Sequence, residues 1–157
     1  MSKKTMAIWS WMLWCLCWSI SGKSQAAESN HPIITQMDKG KHRFLLVFSP
    51  DNQNEFLLAQ DKMLRQARLG LSERDLLVVQ VVNNDVEVNP PVKEEFPSAT
   101  SLRQTYKVNP EQFTVILVGK DGTEKYRAAH AQAPAVLFGI IDAMPMRQNE
   151  AHEKNNK

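Results

Sequence analysis

Cysteine and tryptophan are missing from most of this 157-residue chain. Both cysteines, Cys15 and Cys17, and all four tryptophans fall within the first 18 residues. The chain beyond residue 18 therefore has no thiol for disulfide exchange and no disulfide to stabilise a small domain. A segment of about 130 residues is long enough to bury a hydrophobic core without such crosslinks.

A large excess of charge of either sign is also lacking. The chain carries 19 basic and 17 acidic side chains, a net charge of +2. Binding to nucleic acid depends on strong positive charge, so the composition gives no reason to expect a nucleic-acid partner. The length fits one domain of ordinary size and excludes a large multidomain enzyme.

Residues 1–26 have the pattern of a secretory signal peptide. Lys3 and Lys4 precede an apolar run, and small residues at Ser24 and Ala26 suit a signal peptidase. We expect cleavage after Ala26 or one residue later, giving an exported protein, periplasmic or secreted. The alternative is a retained anchor, but the apolar run is shorter than the ~20 residues that span a bilayer as a helix. Cleavage leaves 16 basic and 17 acidic residues, no charge-driven partner and no membrane span.

The chain after the signal peptide divides into three parts. Residues 27–40 are polar without a sustained period, which predicts a flexible arm. Residues 41–147 carry the apolar runs of a folded domain. Residues 148–157 are polar, which predicts a disordered tail.

The first half of the domain has the pattern of a parallel β-α-β unit. A continuous apolar run at residues 44–48 and an almost unbroken one at residues 76–82 predict two strands, of which the first is central and covered on both faces. Between them we predict a helix that Asp51 or Asn52 caps and Gly70 ends. Its polar residues, such as Gln60, are expected on the outer face.

The second half of the domain adds a helix, a hairpin and a final helix. Residues 83–97 are polar and rich in proline, which predicts a long loop. A short helix over residues 98–106 follows, which Ser98 is expected to cap. Residues 113–118 and 123–127 flank an Asp-Gly turn and predict an antiparallel hairpin. A last helix over residues 134–144 is predicted to end at the next proline and to have an inner face formed by Val136, Leu137, Ile140 and Ile141.

The order of these elements, βαβ-α-ββα, resembles the thioredoxin-like fold, an α/β architecture. It implies a four-stranded mixed sheet with helices on both faces. In redox-active members the turn after the first strand carries two cysteines at a helix N-terminus, where the thiolate is stabilised. Here that turn, residues 49–55, has no cysteine, and Phe113 occupies the place of the cis-proline next to them. The resemblance therefore implies a scaffold without thiol chemistry.

Three segments resemble an uncharacterised family of small exported bacterial proteins: residues 43–48, 117–122 and 141–148. The last is the most distinctive, because it reads Asp-Ala-Met-Pro-Met-Arg at the end of the last helix. The domain of this family is similar to one in vertebrate sushi-repeat matrix proteins and in a related coiled-coil-domain matrix protein. The resemblance covers nearly all of the chain after residue 26 and implies a role in adhesion or matrix association.

Two places carry candidate binding residues. At the end of the last helix, Asp142 and Arg147 are candidates because a planar guanidinium binds carboxylates as a fork. The alternative is structural: Met144 packs under the sheet, and Arg147 bonds Asp142 or the last helical carbonyl groups.

The second place is the turn after the first strand. Ser49, Asp51 and Asn52 are candidates because the first amides of a helix lack partners and attract anions or hydroxyl groups. The alternative is that Asp51 or Asn52 caps the helix and uses these amides itself. No histidine is placed by the sequence to act as a base for Ser49, so a catalytic triad is unsupported.

Metal ions and cofactors are not expected. Met144 and Met146 with a histidine would suit cuprous copper, but no histidine has a fixed spacing from them. The 83–97 loop has four acidic residues that could recruit calcium, but they lack the spacing of a calcium loop: Asp85, Glu87, Glu94 and Glu95. We interpret that loop as solvated and as the preferred place for a protein partner.

Three functions remain from these observations. The leading hypothesis is an exported, redox-inactive module that binds an envelope or extracellular protein without catalysis. The alternative is a thiol-independent enzyme or small-ligand binder in the periplasm. A third is a helper of a disulfide enzyme that holds unfolded clients without reacting with them.

Overall fold

The computed structural model describes residues 40–93 and 95–155. The predicted signal peptide and nearly all of the predicted arm lie outside these residues. Within them the chain forms five strands and five helices. In chain order these are β1 (Arg43–Ser49), α1 (Glu55–Gln66), α2 (Arg68–Glu73), β2 (Leu76–Val82), β3 (Asp85–Asn89), α3 (Ala99–Tyr106), β4 (Thr114–Val118), β5 (Glu124–Ala128), α4 (Pro134–Asp142) and α5 (Pro145–Asn155).

The strands form one mixed sheet in the order β3-β2-β1-β4-β5. β1 pairs in parallel with β2, and the other neighbouring pairs are antiparallel. β1 is therefore the central strand, and all seven of its residues are buried. The arrangement of β2, β1, β4 and β5 is the predicted thioredoxin-like one, so the predicted fold class is confirmed.

The central strands are buried because both faces of the sheet are covered. On one face a core cluster includes side chains of α3, with Leu102 and Tyr106 packed under the strands. On the other face a second cluster includes side chains of α1, α2 and α4, among them Leu64, Leu71 and Leu137. A strand covered on both faces needs apolar residues at successive positions, which explains the unbroken run in β1.

The sheet has five strands rather than four, because part of the predicted 83–97 loop is the edge strand β3. Asn83 has a φ of +51°, so the chain turns tightly there and β3 runs back antiparallel to β2. Val86 and Val88 pack against the α3-side core, whereas the alternate residues of β3 are exposed. This apolar–polar alternation is the pattern of a half-buried strand, and it was hidden between turn residues and prolines.

The predicted start and end of the first helix were wrong. Asn54, rather than Asp51 or Asn52, caps α1, and its Oδ1 accepts from the amides of Phe56 and Leu57 at 3.0 and 3.3 Å. Gly70 does not end the helix but lies inside α2. A Cβ at Gly70 would stand 2.5 Å from Cε2 of Phe138. This glycine therefore serves close packing between α2 and α4.

Gln60 is fully buried, although its polarity predicted an outer position. Its side chain exchanges two hydrogen bonds with the backbone of Gln132, one to the carbonyl oxygen at 3.0 Å and one from the amide at 2.7 Å. The Gln132 side chain in turn accepts from the Tyr126 hydroxyl at 2.7 Å. A buried amide is tolerated here because its donor and acceptor are both satisfied.

Helical structure continues beyond Pro145. That residue begins α5, so residues 148–155 of the predicted disordered tail are helical. Proline is compatible with the first turn of a helix, where its missing N–H has no intrahelical partner. Val136, predicted on the inner face of α4, is 46% exposed, whereas Leu137 and Ile141 are buried as predicted.

Candidate functional site

The candidate residues of the turn after β1 bond within that turn. Ser49 is fully buried, and its hydroxyl donates to the carbonyl oxygen of Asp51 at 2.7 Å. The Asp51 carboxylate accepts from the amide of Gln53 at 2.7 Å. The amides of the first helical turn are used by Asn54. The turn is thus organised by its own hydrogen bonds, and only Asn52 lines a cavity described below.

A buried arginine lies at the same end of the sheet. Arg103 in α3 is 7% exposed, and its Nη2 donates to the carbonyl oxygens of Ser49 at 2.8 Å and Val81 at 3.2 Å. Within the described part of the chain, its Nε and Nη1 have no hydrogen-bond partner. Burial lowers the pKa of Arg103, although arginine remains protonated at any physiological pH. The carboxyl ends of β1 and β2 therefore hold a cation against backbone carbonyl groups.

Asp142 and Arg147 lie at the opposite end of β1, about 20 Å away for a strand of this length. The Asp142 carboxylate accepts from Nε and Nη2 of Arg74 at 2.9 and 2.6 Å, and from Nε of Arg147 at 3.4 Å. The guanidinium of Arg74 also lies 4.3 Å from the centre of the Phe138 ring. The structure thus brings Asp142 and Arg147 together but places them far from Ser49, Asp51 and Asn52.

Glu150 of α5 is the centre of the ion pairs at this end. Its carboxylate accepts from Nη1 and Nη2 of Arg43 at 3.2 and 3.3 Å and lies 2.8 Å from Nζ of Lys120. Nη1 of Arg147 is 3.8 Å from the same carboxylate. The Arg43 side chain is 1% exposed and that of Lys120 is 11% exposed. Three cations thus surround one carboxylate, largely out of solvent.

These contacts set the charge of both carboxyl groups. Burial would raise the pKa of Glu150, but hydrogen bonds from Lys120 and Arg43 and their charges outweigh it and hold the pKa below its usual range. The hydrogen bonds from Arg74 lower the pKa of Asp142, and Arg147 adds to the effect. Both groups are therefore ionised in the neutral range.

A groove runs between the α1–α2 layer and the β2–β3 edge of the sheet; we call it the edge groove. It consists of two adjoining cavities of about 440 and 350 Å³. Both cavities are lined by Asp61, Arg65, Gln80 and Asn89. Side chains of α1 share a core cluster with β1 and β2, whereas no residue of β3 belongs to that cluster. Cavities of this size suit small ligands or a few side chains of a peptide.

The floor of the edge groove is acidic along β3. Asp85 and Glu87 are exposed on the groove side, and neither has an ion pair with another residue of the described ranges. By contrast, Asp61 on the α1 wall accepts from Nε of Arg65 at 2.7 Å and from Gln80 at 3.4 Å. Two unpaired carboxylates on one face of an edge strand favour a basic partner.

Groups of metal-ligating side chains and membrane-spanning helices are both absent from the described residues. Within 40–93 and 95–155, no three His, Cys, Asp or Glu side chains are grouped closely enough to hold a metal ion. The same residues contain no helix that is both long and apolar enough to cross a bilayer. Asp85 and Glu87, weighed above as calcium ligands, lie on the strand β3.

Sequence reasoning missed three charged residues that organise these regions: Arg43, Arg103 and Glu150. A signal existed for Arg43, because it directly precedes the apolar run of β1. Glu150 was assigned to the tail because Pro145 was interpreted as a helix end. Arg103 lies on a helix whose buried face is set by tertiary packing, so its burial was not predictable from the residue pattern.

Comparison with known proteins identifies the family. A family profile described as a domain of unknown function, DUF4174, matches residues 35–150. The chain belongs to this family. It is 31% identical to the human sushi repeat-containing protein SRPX over 118 residues, which cover 70% of the chain and 24% of that protein. It is 25% identical to human SRPX2 over 120 residues, covering 74% and 26%.

These relatives confirm the predicted similarity to vertebrate sushi-repeat proteins. The chain spans about a quarter of the length of the curated relatives it matches. A solved thioredoxin-fold protein from Helicobacter pylori aligns with a TM-score of 0.44 and 18% identity, over 65% of this chain and 68% of that one. The described architecture, rather than this alignment, establishes the thioredoxin-like fold.

Proposed function

We propose that this chain is an exported, non-catalytic module that binds an extended segment of another protein along β3. The observation that carries the proposal is the edge groove beside a strand whose outer side is unpaired in the described residues. An edge strand presents unpaired N–H and C=O groups, and an added strand uses them for main-chain hydrogen bonds.

The side chains of β3 define the segment that fits. Successive residues of an added strand would alternate between the two faces of the sheet. On the groove face they would lie beside Asp85 and Glu87, so basic residues are favoured there. On the other face they would lie beside Val86 and Val88, so apolar residues are favoured there. The partner segment is therefore extended, with basic and apolar residues in alternation.

The absence of thiols supports a binding role rather than redox chemistry. No cysteine occurs beyond residue 17, and the turn that carries cysteines in redox-active members of the fold is closed here by Ser49, Asp51 and Asn54. The pattern of residues 1–26 supports export, and periplasmic location is our proposal for a bacterial envelope. Similarity to sushi-repeat proteins supports an adhesion-type role.

Peptide binding tests this proposal. The probe is a blocked six-residue peptide of alternating lysine and valine, and its matched control replaces lysine by glutamate. We expect the lysine peptide to bind the chain without residues 1–26 and the glutamate peptide to bind at least about tenfold more weakly. Fluorescence polarisation of labelled peptides measures both affinities. Equal binding of the two peptides would contradict the proposed charge complementarity.

A pair of variants locates the binding. Glu87→Lys reverses one charge on the groove face of β3 and should weaken the lysine peptide about tenfold. Glu111→Lys makes the same charge change at an exposed turn before β4 and should leave the affinity unchanged. If both variants weaken the peptide alike, binding follows net charge and not β3.

A further inference from the structure

At the amino end of β1, one carboxylate is held as a bound ligand would be. The guanidinium of Arg43 meets both oxygens of Glu150, as in a two-point arginine–carboxylate pair. Lys120 approaches one oxygen at 2.8 Å, and Arg147 approaches the other at 3.8 Å. In the described part of the chain, Nε of the buried Arg43 has no hydrogen-bond partner. The three cations thus carry more N–H donors than the carboxylate of Glu150 uses.

Glu150 lies in α5, and the other residues of this helix attach it only weakly to the rest of the domain. No side chain between Pro145 and Glu153 is buried, and Met146 is 51% exposed. An isolated helix of eleven residues is marginal in water, so α5 depends on its contacts with the rest of the domain. Glu150 and Arg147 provide its described ion pairs across to other elements. Glu150 therefore holds α5 on the domain, whereas the packing of α5 does little to hold Glu150 in place.

We propose that Arg43 and Lys120 form a carboxylate-binding site that Glu150 occupies and that takes up an external carboxylate when α5, and Arg147 with it, detaches. The external ligand is a free organic carboxylate or an acidic side chain of a partner segment, which share the same chemistry. The site lies at the opposite end of β1 from the turn of Ser49 and does not depend on peptide binding at β3.

Chemical rescue tests whether the site accepts a free carboxylate. Glu150→Ala removes the occupant, and acetate is titrated at constant ionic strength with chloride as the balancing anion. We expect acetate to raise the Tm of Glu150→Ala saturably by about 4 °C and to leave the wild-type Tm unchanged. Glu153→Ala, an exposed glutamate of the same helix, is the matched control and should not respond to acetate. Equal responses of Glu150→Ala and Glu153→Ala would overturn the proposal.

A second measurement uses the wild-type chain and does not depend on a variant that folds. An unlabelled peptide with the sequence of residues 145–155 is added to isotope-labelled protein, and amide hydrogen exchange of α5 is followed by NMR. We expect the peptide to accelerate exchange within α5 by about threefold by competing for the site. The same peptide with glutamine in place of its glutamate at the Glu150 position should have no effect. If neither peptide changes the exchange, the occupant is not exchangeable by an acidic segment and that part of the proposal is wrong.

Discussion

The two ends of β1 each bury an arginine, and they satisfy its charge in different ways. At the amino end, Arg43 meets the carboxylate of Glu150, with Lys120 close by. At the carboxyl end, Arg103 donates to the carbonyl oxygens of Ser49 and Val81, and no carboxylate pairs with it in the described ranges. Pairing with a full charge makes the first contact sensitive to pH and to competing anions, whereas the second is a fixed tie between α3 and the strand ends.

The carboxyl end of β1 is also built differently here than in redox-active members of the fold. In redox-active thioredoxin-like proteins the carboxyl end of the first strand carries the reacting cysteines. Here the same end is closed by the Ser49 hydroxyl and by Arg103, whose pKa is lowered by burial. The exposed carboxylates of β3 and the ion pairs of Glu150 lie elsewhere in the fold. Under the proposed function, the turn after β1 is therefore structural and the partner binds elsewhere.

The largest expected effect compares the two arginines directly. Arg43→Met leaves Glu150 partly buried without its two-point partner and should lower the free energy of unfolding by about 3–5 kcal/mol. Arg103→Met loses hydrogen bonds to two carbonyl groups but also removes an uncompensated buried cation, so we expect a loss of about 1–2 kcal/mol. Urea unfolding followed by circular dichroism measures both, with the exposed Lys62→Met as control. Equal losses would contradict the distinction between the two ends.

The packing behind Arg74 gives the next prediction. Gly70→Ala places a Cβ 2.5 Å from the Phe138 ring, which supports the Arg74 guanidinium. Alanine favours a helix by about 1 kcal/mol over glycine, but the overpacking should dominate and give a net loss of about 1–3 kcal/mol. Gly139→Ala is the matched control, because nothing lies within 4 Å of its added Cβ. We expect that variant to be neutral or stabilised in thermal unfolding; a stabilised Gly70→Ala would contradict the packing.

Acid should weaken the amino end of β1 before the carboxyl end. The pKa values of Glu150 and Asp142 are below their usual ranges in the folded chain, so their stabilisation is complete above the unfolded pKa values near 4. It is lost as the pH falls through the lower folded values. Thermal unfolding between pH 6 and pH 3 should therefore show a shallower decrease for Glu150→Gln than for wild type.

Asp121 is another carboxyl group with a lowered pKa, so its titration also affects this comparison. Burial would raise its pKa, but hydrogen bonds from Lys125 and Thr123 outweigh it and lower the pKa. It therefore adds acid sensitivity to both proteins alike. Identical pH profiles of wild type and Glu150→Gln would show that the paired carboxylate contributes no stability.

The smallest expected loss of stability concerns Asn54, the N-cap of α1, which lies near the carboxyl end of β1. Asn54→Ala removes the acceptor for two amides and should cost about 1 kcal/mol. Asn52→Ala changes an exposed asparagine two residues earlier and should cost nothing measurable. Chemical denaturation distinguishes them, and a larger loss for Asn52→Ala would restore the cap predicted from the sequence.

Apolar patterning made the central architecture predictable. The apolar runs of β1 and β2 are long because both faces of these strands are covered, and runs of strand length bounded by turn residues indicate buried strands. Ser98 was placed correctly as the cap of α3, since its side chain accepts from the amide of Ser101. These features depend on local sequence.

Features that depend on tertiary contacts were not predictable. The strand β3 is short and half-buried, and turn residues surround its two valines. Gly70 was expected to end a helix, because only the position of Phe138 shows why a residue without a side chain is needed there. Likewise, the anchor of α5 is a pair between Arg43 and Glu150, which are 107 residues apart in the chain.

Hydrogen exchange of β3 shows whether a partner strand adds to this edge of the sheet. The lysine–valine peptide is added to the chain without residues 1–26, and amide exchange is compared residue by residue with and without it. We expect new protection from exchange at those amides of Asp85–Asn89 that do not bond to β2, because an added strand would accept hydrogen bonds from them. Protection at residues 49–54 instead, with β3 unchanged, would contradict it and return the binding site to the turn after β1.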